Sequence, residues 1–487
     1  MRGVIDALRT FWPQITATAT VLFQLATAAH AILYKRDSRA AVAWVGLIWL
    51  SPIVGSVLYI LLGVNRVRRR AAGLRGHESE HVPSLERWLC APPEVLEHLP
   101  ADRAHLLEMS RLGARLTGLP LLGGNRVEPL IDGDVAYPAM LEAIESARQS
   151  ITLTIYIFSN DAIGRRFVDA LARAVERGVE VRVLIDAVGA RYSRSSITGK
   201  LRRKGVPTAT FMSSLFLWRM PYFNLRSHRK IMVIDGYVGF TGGMNIRGEC
   251  VLGDWPEYPT RDMHFRVTGP VVEQLQATFV EDWSFTTAEL LSGEKWFPSE
   301  REATGGVLAR AIPDGPDHDM DKMSMAFQGA LSVARYSVRI VTPYFLPDRS
   351  LVAAINTCAL RGVTVDILLP SENNLRMVSW AATAQLWQVL EWGCRVWYSP
   401  PPFDHTKVMT VDGALAVIGS SNWDSRSLRL NFEFGMECYD TDLVYALDQE
   451  IEARISVARE VTLREVNARS FPVKLRDGAV RLFAPYL

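Results

Sequence analysis

The sequence predicts an α/β protein built from two αβα repeats related by a pseudo-two-fold axis and preceded by a two-helix transmembrane hairpin. Three observations carry this expectation. Residues 40–64 hold no charged side chain across 25 positions. A half-length pattern of helix, apolar strand, helix and second strand is written twice. The stretches SHRKIMVIDG (227–236) and DHTKVMTVDG (404–413) place His, Lys, Asp and Gly at one spacing in both copies.

The bulk numbers set the frame. At 487 residues the chain exceeds one ordinary core. It is 48% hydrophobic and 22% charged, with a net charge of +2. That balance gives no reason to expect a nucleic-acid partner. Cys90, Cys250, Cys358, Cys394 and Cys438 are scattered, without a CxxC pair or a Cys/His cluster. They read as reduced thiols buried as small hydrophobes, with no disulfide framework and no metal site.

The N-terminal segment, residues 1–70, reads as the membrane hairpin. At 1.5 Å per residue, residues 40–64 extend roughly 37 Å, enough for a bilayer core of about 30 Å with some tilt. Trp44, Trp49 and Tyr59 suit the interfaces, and Pro52 and Gly55 predict a kink. Residues 11–34 are also uncharged, but Gln14, Gln24, His30 and several threonines dilute them, so they read as a span or an interfacial helix. Arg2, Arg9, Arg66, Arg68, Arg69 and Arg70 outnumber the basic residues of the connecting KRDSR, which places both ends in the cytoplasm. Residues 71–125, with Pro92, Pro93, Pro100 and Pro120, read as a cytoplasmic linker with some helix.

The repeats follow, over residues 126–300 and 301–487. Helical patterns at 137–148 and 321–335 lead into ARQSITLTIYIF from Ala147 and ARYSVRIVTPYF from Ala334. A second helix then ends at Gly178 or Gly362, and RGVEVRVLID and RGVTVDILLP begin a second strand. Strand–helix–strand order predicts a largely parallel sheet.

Next comes the duplicated motif. Two residues apart on a strand point to the same face, so His228 pairs with Lys230 and His405 with Lys407. Gly242 and Gly419 each lie 14 residues after their histidine, and Asn245 and Asn422 each lie 17 after, with Gly243 and Ser420 between. One such HxK is ordinary surface chemistry. Two at equal spacing within a repeat predict a shared site of histidines, lysines and asparagines, which suits a tetrahedral anion such as a phosphodiester. The lysine is informative, because the chain has only eight among 54 basic residues. An ammonium is a compact charge where a guanidinium is a flat fork. Asp235 and Asp412 read as fixing the following turn and bracing the sheet.

HRKIMVIDG with GGMN, and HTKVMTVDG with GSSN, resemble the two HxKxxxxDG motifs of the phospholipase D superfamily. Pro52, Gly55, Tyr59 and Gly63 in the hairpin, TPYFLP at 342–347, SNWDSRSLRLNFE at 421–433 and the ending RLFAPYL resemble bacterial cardiolipin synthases. Ser227 and Thr406 depart from the residues usual there, at positions with no catalytic assignment. The resemblance implies a membrane enzyme without cofactor that moves a phosphatidyl group between two phosphatidylglycerol molecules, giving cardiolipin and glycerol. It implies a multi-pass protein of the bacterial inner membrane with its catalytic domain in the cytoplasm.

By the same resemblance, His228 is the nucleophile and His405 the acid and base. Lys230, Lys407, Asn245 and Asn422 hold the non-bridging oxygens, supported by Gly243 and Ser420, and Asp262 and Glu433 orient the histidines. The residues alone leave the order of the histidines open, and also the donor lipid, hydrolysis by water, and an oligomer. A phosphodiesterase or nuclease would call for a soluble, strongly basic chain. A decayed scaffold would lack a motif residue.

Two further stretches stay ambiguous. FMSSLFLWRMPYF (211–223) fits an acyl-chain entrance or a bilayer contact as well as buried strand and loop. Trp380, Trp387 and Trp392 read as core. His77, His81, His98, His105 and His318 show no partner pattern and read as surface or loop residues.

Overall fold

The computed structural model of the chain describes residues 2–35, 38–63, 85–191, 197–211, 225–254, 256–316 and 319–484. Arg66, Arg68, Arg69, Arg70, His77, His81, His318, the last three residues and nearly all of 211–223 lie outside these. The N-terminal helices form one compact unit, and the residues from 85 onward form another.

In the first unit, helix α1 (Arg2–Tyr34) carries the first uncharged stretch. Phe11–Tyr34 is long and apolar enough to cross a membrane, with a mean hydropathy of 1.4. The second uncharged stretch is bent at Pro52, as its sequence predicts. It breaks at Ser51 into α2 (Ser38–Leu50) and α3 (Pro52–Leu58), and α3 runs into a π-helical turn at Tyr59–Gly63. Proline has no N–H to donate, and its ring drives the preceding residue out of helical angles. Ser51 accordingly sits at φ −140°, ψ 81°.

The polar residues that dilute α1 hold the helices together. Gln24 Nε2 donates to Ile48 O at 3.2 Å, Thr27 and Ser56 hydroxyls meet at 2.9 Å, and His30 Nδ1 meets Tyr59 OH at 2.7 Å. Hydrogen bonds of this kind join helices where lipid offers no partner. Tyr59 is therefore buried against Trp44, while Trp49 is exposed.

The second unit is organised by one continuous sheet. The first repeat supplies β1 (Leu122–Ile131), β2 (Ser150–Ile155), β3 (Glu180–Asp186), β4 (Thr208–Phe211), β5 (Ile231–Ile234), β6 (Val238–Gly242) and β7 (Met263–Thr268). The second supplies β8 (Val307–Asp314), β9 (Ser337–Val341), β10 (Thr364–Pro370), β11 (Arg395–Ser399), β12 (Val408–Val411), β13 (Leu415–Gly419) and β14 (Asn431–Tyr439). A short β15 (Arg459–Val461) closes one edge. The order is β4-β3-β2-β5-β6-β7-β1-β8-β14-β13-β12-β9-β10-β11-β15. Outward from the antiparallel β1–β8 pair, each repeat lays its strands in the same sequence, which is the pseudo-two-fold.

The largely parallel sheet is corrected. Only β2-β3-β4 and β9-β10-β11 are parallel, and the other neighbours on this path run antiparallel. Strand–helix–strand order governs those triplets alone. The strands that follow each HxK, β5 and β12, enter beside β2 and β9 in the opposite sense, then reverse at Asp-Gly. Asp235 (φ 51°) with Gly236 (φ 71°), and Asp412 (φ 51°) with Gly413 (φ 67°), take the positive angles that tight hairpins require.

Helices cover the sheet, and Gly178 (φ 85°) and Gly362 (φ 88°) end Ala162–Glu176 and Arg349–Leu360 as expected. One apolar cluster fills each repeat and a third lies between them. Part of the expected linker belongs to this unit. Leu106, Leu107 and Met109 are buried in the second repeat's core, and β1 opens at Leu122. Trp387 and Trp392 are exposed and Trp380 half-buried, so reading them as core is corrected.

Both motif aspartates brace the sheet. Asp235 accepts from the N–H groups of Arg148, Gln149 and Ser150 at 2.9, 2.7 and 2.8 Å. Asp412 does the same with Arg335, Tyr336 and Ser337 at 2.8, 2.8 and 2.9 Å. Asp412 also meets His105 Nε2 at 2.6 Å. The surface reading of His105 is thus corrected: its side chain is buried on the second motif. His98, half-buried, meets Tyr439 O.

Asp412→Ala would strand three backbone donors and His105, so we expect it to remove roughly 3–5 kcal/mol of stability. Asp235→Ala strands only the backbone donors and should remove less. Thermal unfolding in detergent should give the lower Tm for D412A, whereas equal Tm values would mean that His105 contributes nothing.

Candidate active site

Each HxK strand is delivered to the site by a bridge to the other repeat. Arg226 and Ser227 pair with Asn431 and Phe432, while Phe403 and Asp404 pair with Thr260 and Arg261. His228 N then donates to Phe432 O and His405 N to Arg261 O, both at 2.8 Å. The histidines, lysines and asparagines of both copies are buried. His405 feels the charges of Lys407, Lys230 and His228, so the two motifs converge. Each lysine turns back onto the carbonyl of its own histidine: Lys230 Nζ donates to His228 O at 2.5 Å, and Lys407 Nζ to His405 O. Tyrosine rings flank the imidazoles, Tyr156 at 5.1 Å from His228 and Tyr344 at 6.2 Å from His405.

The carboxylates are exchanged. His228 Nδ1 lies 3.0 Å from Glu433 Oε2, and His405 Nδ1 lies 2.8 Å from Asp262 Oδ2. Each histidine therefore meets an acid of the other repeat, not the one that follows it in its own. A carboxylate on Nδ1 fixes the proton there and leaves Nε2 with its lone pair.

Local packing holds these acids. Ser427 Oγ and Asn431 Nδ2 donate to Glu433 Oε1 at 2.6 and 3.1 Å, and Ser420 Oγ donates to Oε2. Asp262 receives Met263 N at 2.8 Å. Gly243 stands where Ser420 stands in the other copy, and a Cβ on it would lie 2.4 Å from Asp262 Oδ1. Asn245 Oδ1 accepts from Ile157 N at 3.0 Å, whereas the buried Asn422 Oδ1 has no hydrogen-bond partner.

Burial and mutual repulsion set the charges. Burial lowers His228 against the pull of Glu433, and lowers His405 well below its ordinary range with help from Lys407, Lys230 and His228. It pushes Lys230 down to about 7 and Lys407 down to about 8, despite the acids nearby. It pushes Asp262 up to about 6, opposed by Lys407. Burial would raise Glu433 too, but His228, Lys230 and Ser420 outweigh it and hold the group below the usual carboxylate range. A phosphodiester anion entering this group would favour the charged form of every nitrogen. Among the described residues, no group of three or more His, Cys, Asp or Glu is placed to hold a metal.

Several supporting residues carry no sequence signal. Arg229, the middle residue of HRK, is fully buried. Its Nε donates to Glu433 O at 2.9 Å, its Nη1 to Asp282 Oδ1 at 2.7 Å and its Nη2 to Asp314 O at 3.1 Å. The second copy has Thr406 there and takes its arginine from a distant helix: Arg454 Nη1 donates to Thr406 Oγ1 at 2.9 Å and Asp404 Oδ2 at 2.7 Å. Asp186 accepts from Ser227 N at 2.8 Å. His264, beside Asp262, is buried and driven down to about 4 by that burial.

Comparison with known proteins bears on this arrangement. The family described as "Cardiolipin synthase, PLD-like domain" matches residues 140–283 and 328–455, and "Phospholipase_D-nuclease N-terminal" matches residues 22–63. The cardiolipin synthase A of Pseudomonas putida (strain GB-1) is 32% identical, over 96% of each chain. The cardiolipin synthase of Oceanobacillus iheyensis is 30% identical, over 93% of this chain and 95% of that one. The crystal structure of a phosphatidylserine synthase from Haemophilus influenzae superposes with a TM-score of 0.61, covering 78% of this chain and all of that one. At 16% identity it speaks to the fold alone.

The lowered lysines predict a pH dependence. Lys230 carries its charge below about 7 and Lys407 below about 8, and both lose it as pH rises through those values. Tungstate, a dianion across this range, should bind more tightly at about pH 6.5 than at about pH 8.5, with proton uptake above neutrality. Calorimetry in two buffers of different ionisation enthalpy would read both effects. An affinity that ignores pH would mean that neither lysine holds the anion.

Proposed function

The chain belongs to the cardiolipin synthase family of phospholipase D-like proteins, and from that premise we propose the reaction its site performs. It is a phosphatidyltransferase that joins two phosphatidylglycerol molecules into cardiolipin and releases glycerol. In the first step His228 Nε2 attacks phosphorus, forming an N–P bond as the P–O bond to the headgroup glycerol breaks. His405, which takes up a proton on Nε2 as the anionic substrate enters, gives that proton to the departing alkoxide. In the second step His405 takes the proton from a hydroxyl of the next phosphatidylglycerol, whose oxygen attacks phosphorus and displaces His228. One phosphodiester is exchanged for another, so the balance needs no nucleotide and no cofactor.

Lys230, Lys407, Asn245 and Asn422 hold the non-bridging oxygens while charge builds on them. Glu433 and Asp262 keep each imidazole in the tautomer that presents Nε2. The observation that carries this reading is the pair of buried histidines, each with a carboxylate on Nδ1, set among two buried lysines. Burial favours a lipid hydroxyl over water as the second acceptor, and tethering to the membrane concentrates that acceptor. We further place the hairpin as a two-pass anchor with both ends and the catalytic unit in the cytoplasm. The basic residues that flank it support this.

The test uses purified full-length protein and phosphatidylglycerol alone, with products separated by mass spectrometry. Cardiolipin with free glycerol is expected. Phosphatidic acid with glycerol would make the chain a hydrolase, and silence until phosphatidylethanolamine is added would reassign the donor. His228→Ala should abolish turnover and the covalent phosphatidyl-protein together. His405→Ala should slow turnover by about 10²–10⁴-fold. A His228→Ala protein at full rate would overturn the assignment.

A further inference from the structure

Helix Phe471–Arg481, near the end of the described chain, has two apolar faces. On one, Val480 joins a cluster with Leu346, Val378 and Ala381, and Tyr344 belongs to the same cluster. Tyr344 is also the ring set against His405. The other face should be polar if water surrounded it. It is not. At about 100° per residue, Phe471, Leu475 and Leu482 share one stripe, roughly opposite Val480. They are 76%, 61% and 77% exposed. The neighbouring helix Arg376–Thr383 packs alongside, and Leu375 and Met377 near its start are exposed as well.

The charges at this edge have one sign. Lys474 and Arg481 flank the stripe, and Arg476 stacks 4.1 Å over the Trp380 ring. Asp477 is the one acid in either helix, and it is buried and paired with Arg469 at 2.6 Å and Arg476 at 2.7 Å. An apolar stripe edged with cations fits the headgroup layer of an anionic bilayer. A second copy of this chain would have to bring acids to meet those cations.

We propose that helices Arg376–Thr383 and Phe471–Arg481 dock on the surface of an anionic bilayer, and so bring the Tyr344 side of the site to its lipid. This rests on reading the chain as a lipid phosphatidyltransferase. The hairpin anchors the chain, whereas this surface orients the catalytic unit, which a tether alone does not do.

The test compares full-length F471S/L475S and K474E/R481E proteins with the unaltered chain on two forms of phosphatidylglycerol. One is long-chain lipid in mixed phosphatidylcholine liposomes, and the other is short-chain lipid below its micelle concentration. Both variants should raise the apparent KM on liposomes by about tenfold or more and leave turnover of the dispersed lipid unchanged. An unchanged KM on liposomes overturns the proposal. So does a variant that merely lowers the assembly mass, since the stripe would then join copies of the chain. If a variant loses both activities, a nitroxide at Leu475→Cys in the otherwise intact protein decides: acyl-phase relaxation sustains docking, and an aqueous value ends it. That measurement reads docking even if the unaltered chain makes no cardiolipin, in which case the reaction is wrong.

Discussion

The structure depends on the exchange of carboxylates across the pseudo-two-fold axis. A buried imidazole needs a partner to hold its tautomer, and for His228 and His405 that partner lies in the other repeat. Neither half can therefore form a working histidine alone. The continuous sheet follows from this need. The β1–β8 pair and the two short parallel bridges fix the halves in register, and the bridges end at the histidines themselves. A shift between halves would break both histidine–carboxylate pairs together, so stability and site geometry are enforced by the same contacts.

The symmetry is incomplete, and the differences have a size argument behind them. Aspartate is one methylene shorter than glutamate, so the backbone facing Asp262 must come closer, and Gly243 permits it. The longer Glu433 leaves room for Ser420, whose hydroxyl becomes a donor to it. Glu433 thus gathers donors from four side chains and stays ionised, while Asp262 rises to about 6. A carboxylate held below its usual range by four donors suits an imidazole that must carry positive charge through a covalent intermediate. One nearer neutrality suits an imidazole that gives and regains a proton. This difference supports His228 as nucleophile and His405 as acid and base.

Much of the site was legible in the sequence, because chemistry at a duplicated spacing cannot hide. His228, Lys230, His405 and Lys407 announced themselves by repetition, and the Asp-Gly turns by composition. The exchange of Asp262 and Glu433 was not legible. Each follows its own histidine closely in sequence, and only the bridges between repeats carry it to the other one. Arg229 and Arg454 were hidden for a related reason: one role is filled from within the motif in one copy and from a distant helix in the other. Sheet direction was misjudged because strand–helix–strand order describes only the outer triplets. Hydropathy alone did not show why α1 carries polar residues. Gln24, Thr27 and His30 lower the score of α1, yet they face Ile48 O, Ser56 and Tyr59, where an unpaired polar group would be costly.

The scarcity of lysine now has a physical meaning. Enclosing two ammonium groups beside two imidazoles is unfavourable, and the lowered Lys230 and Lys407 record how strongly the fold resists it. Arginine would remain charged under the same burial and bring a planar fork where lysine brings a compact charge. Lysine can yield its proton and recover it when an anion arrives, so the cost of burial is relieved by the substrate's own charge. On the proposed reaction, binding and protonation become one event, and the phosphodiester would draw up the electrostatic field that the reaction then uses. The two Nζ donors are held by the carbonyls of the histidines they follow, so that field would rise beside the two imidazoles.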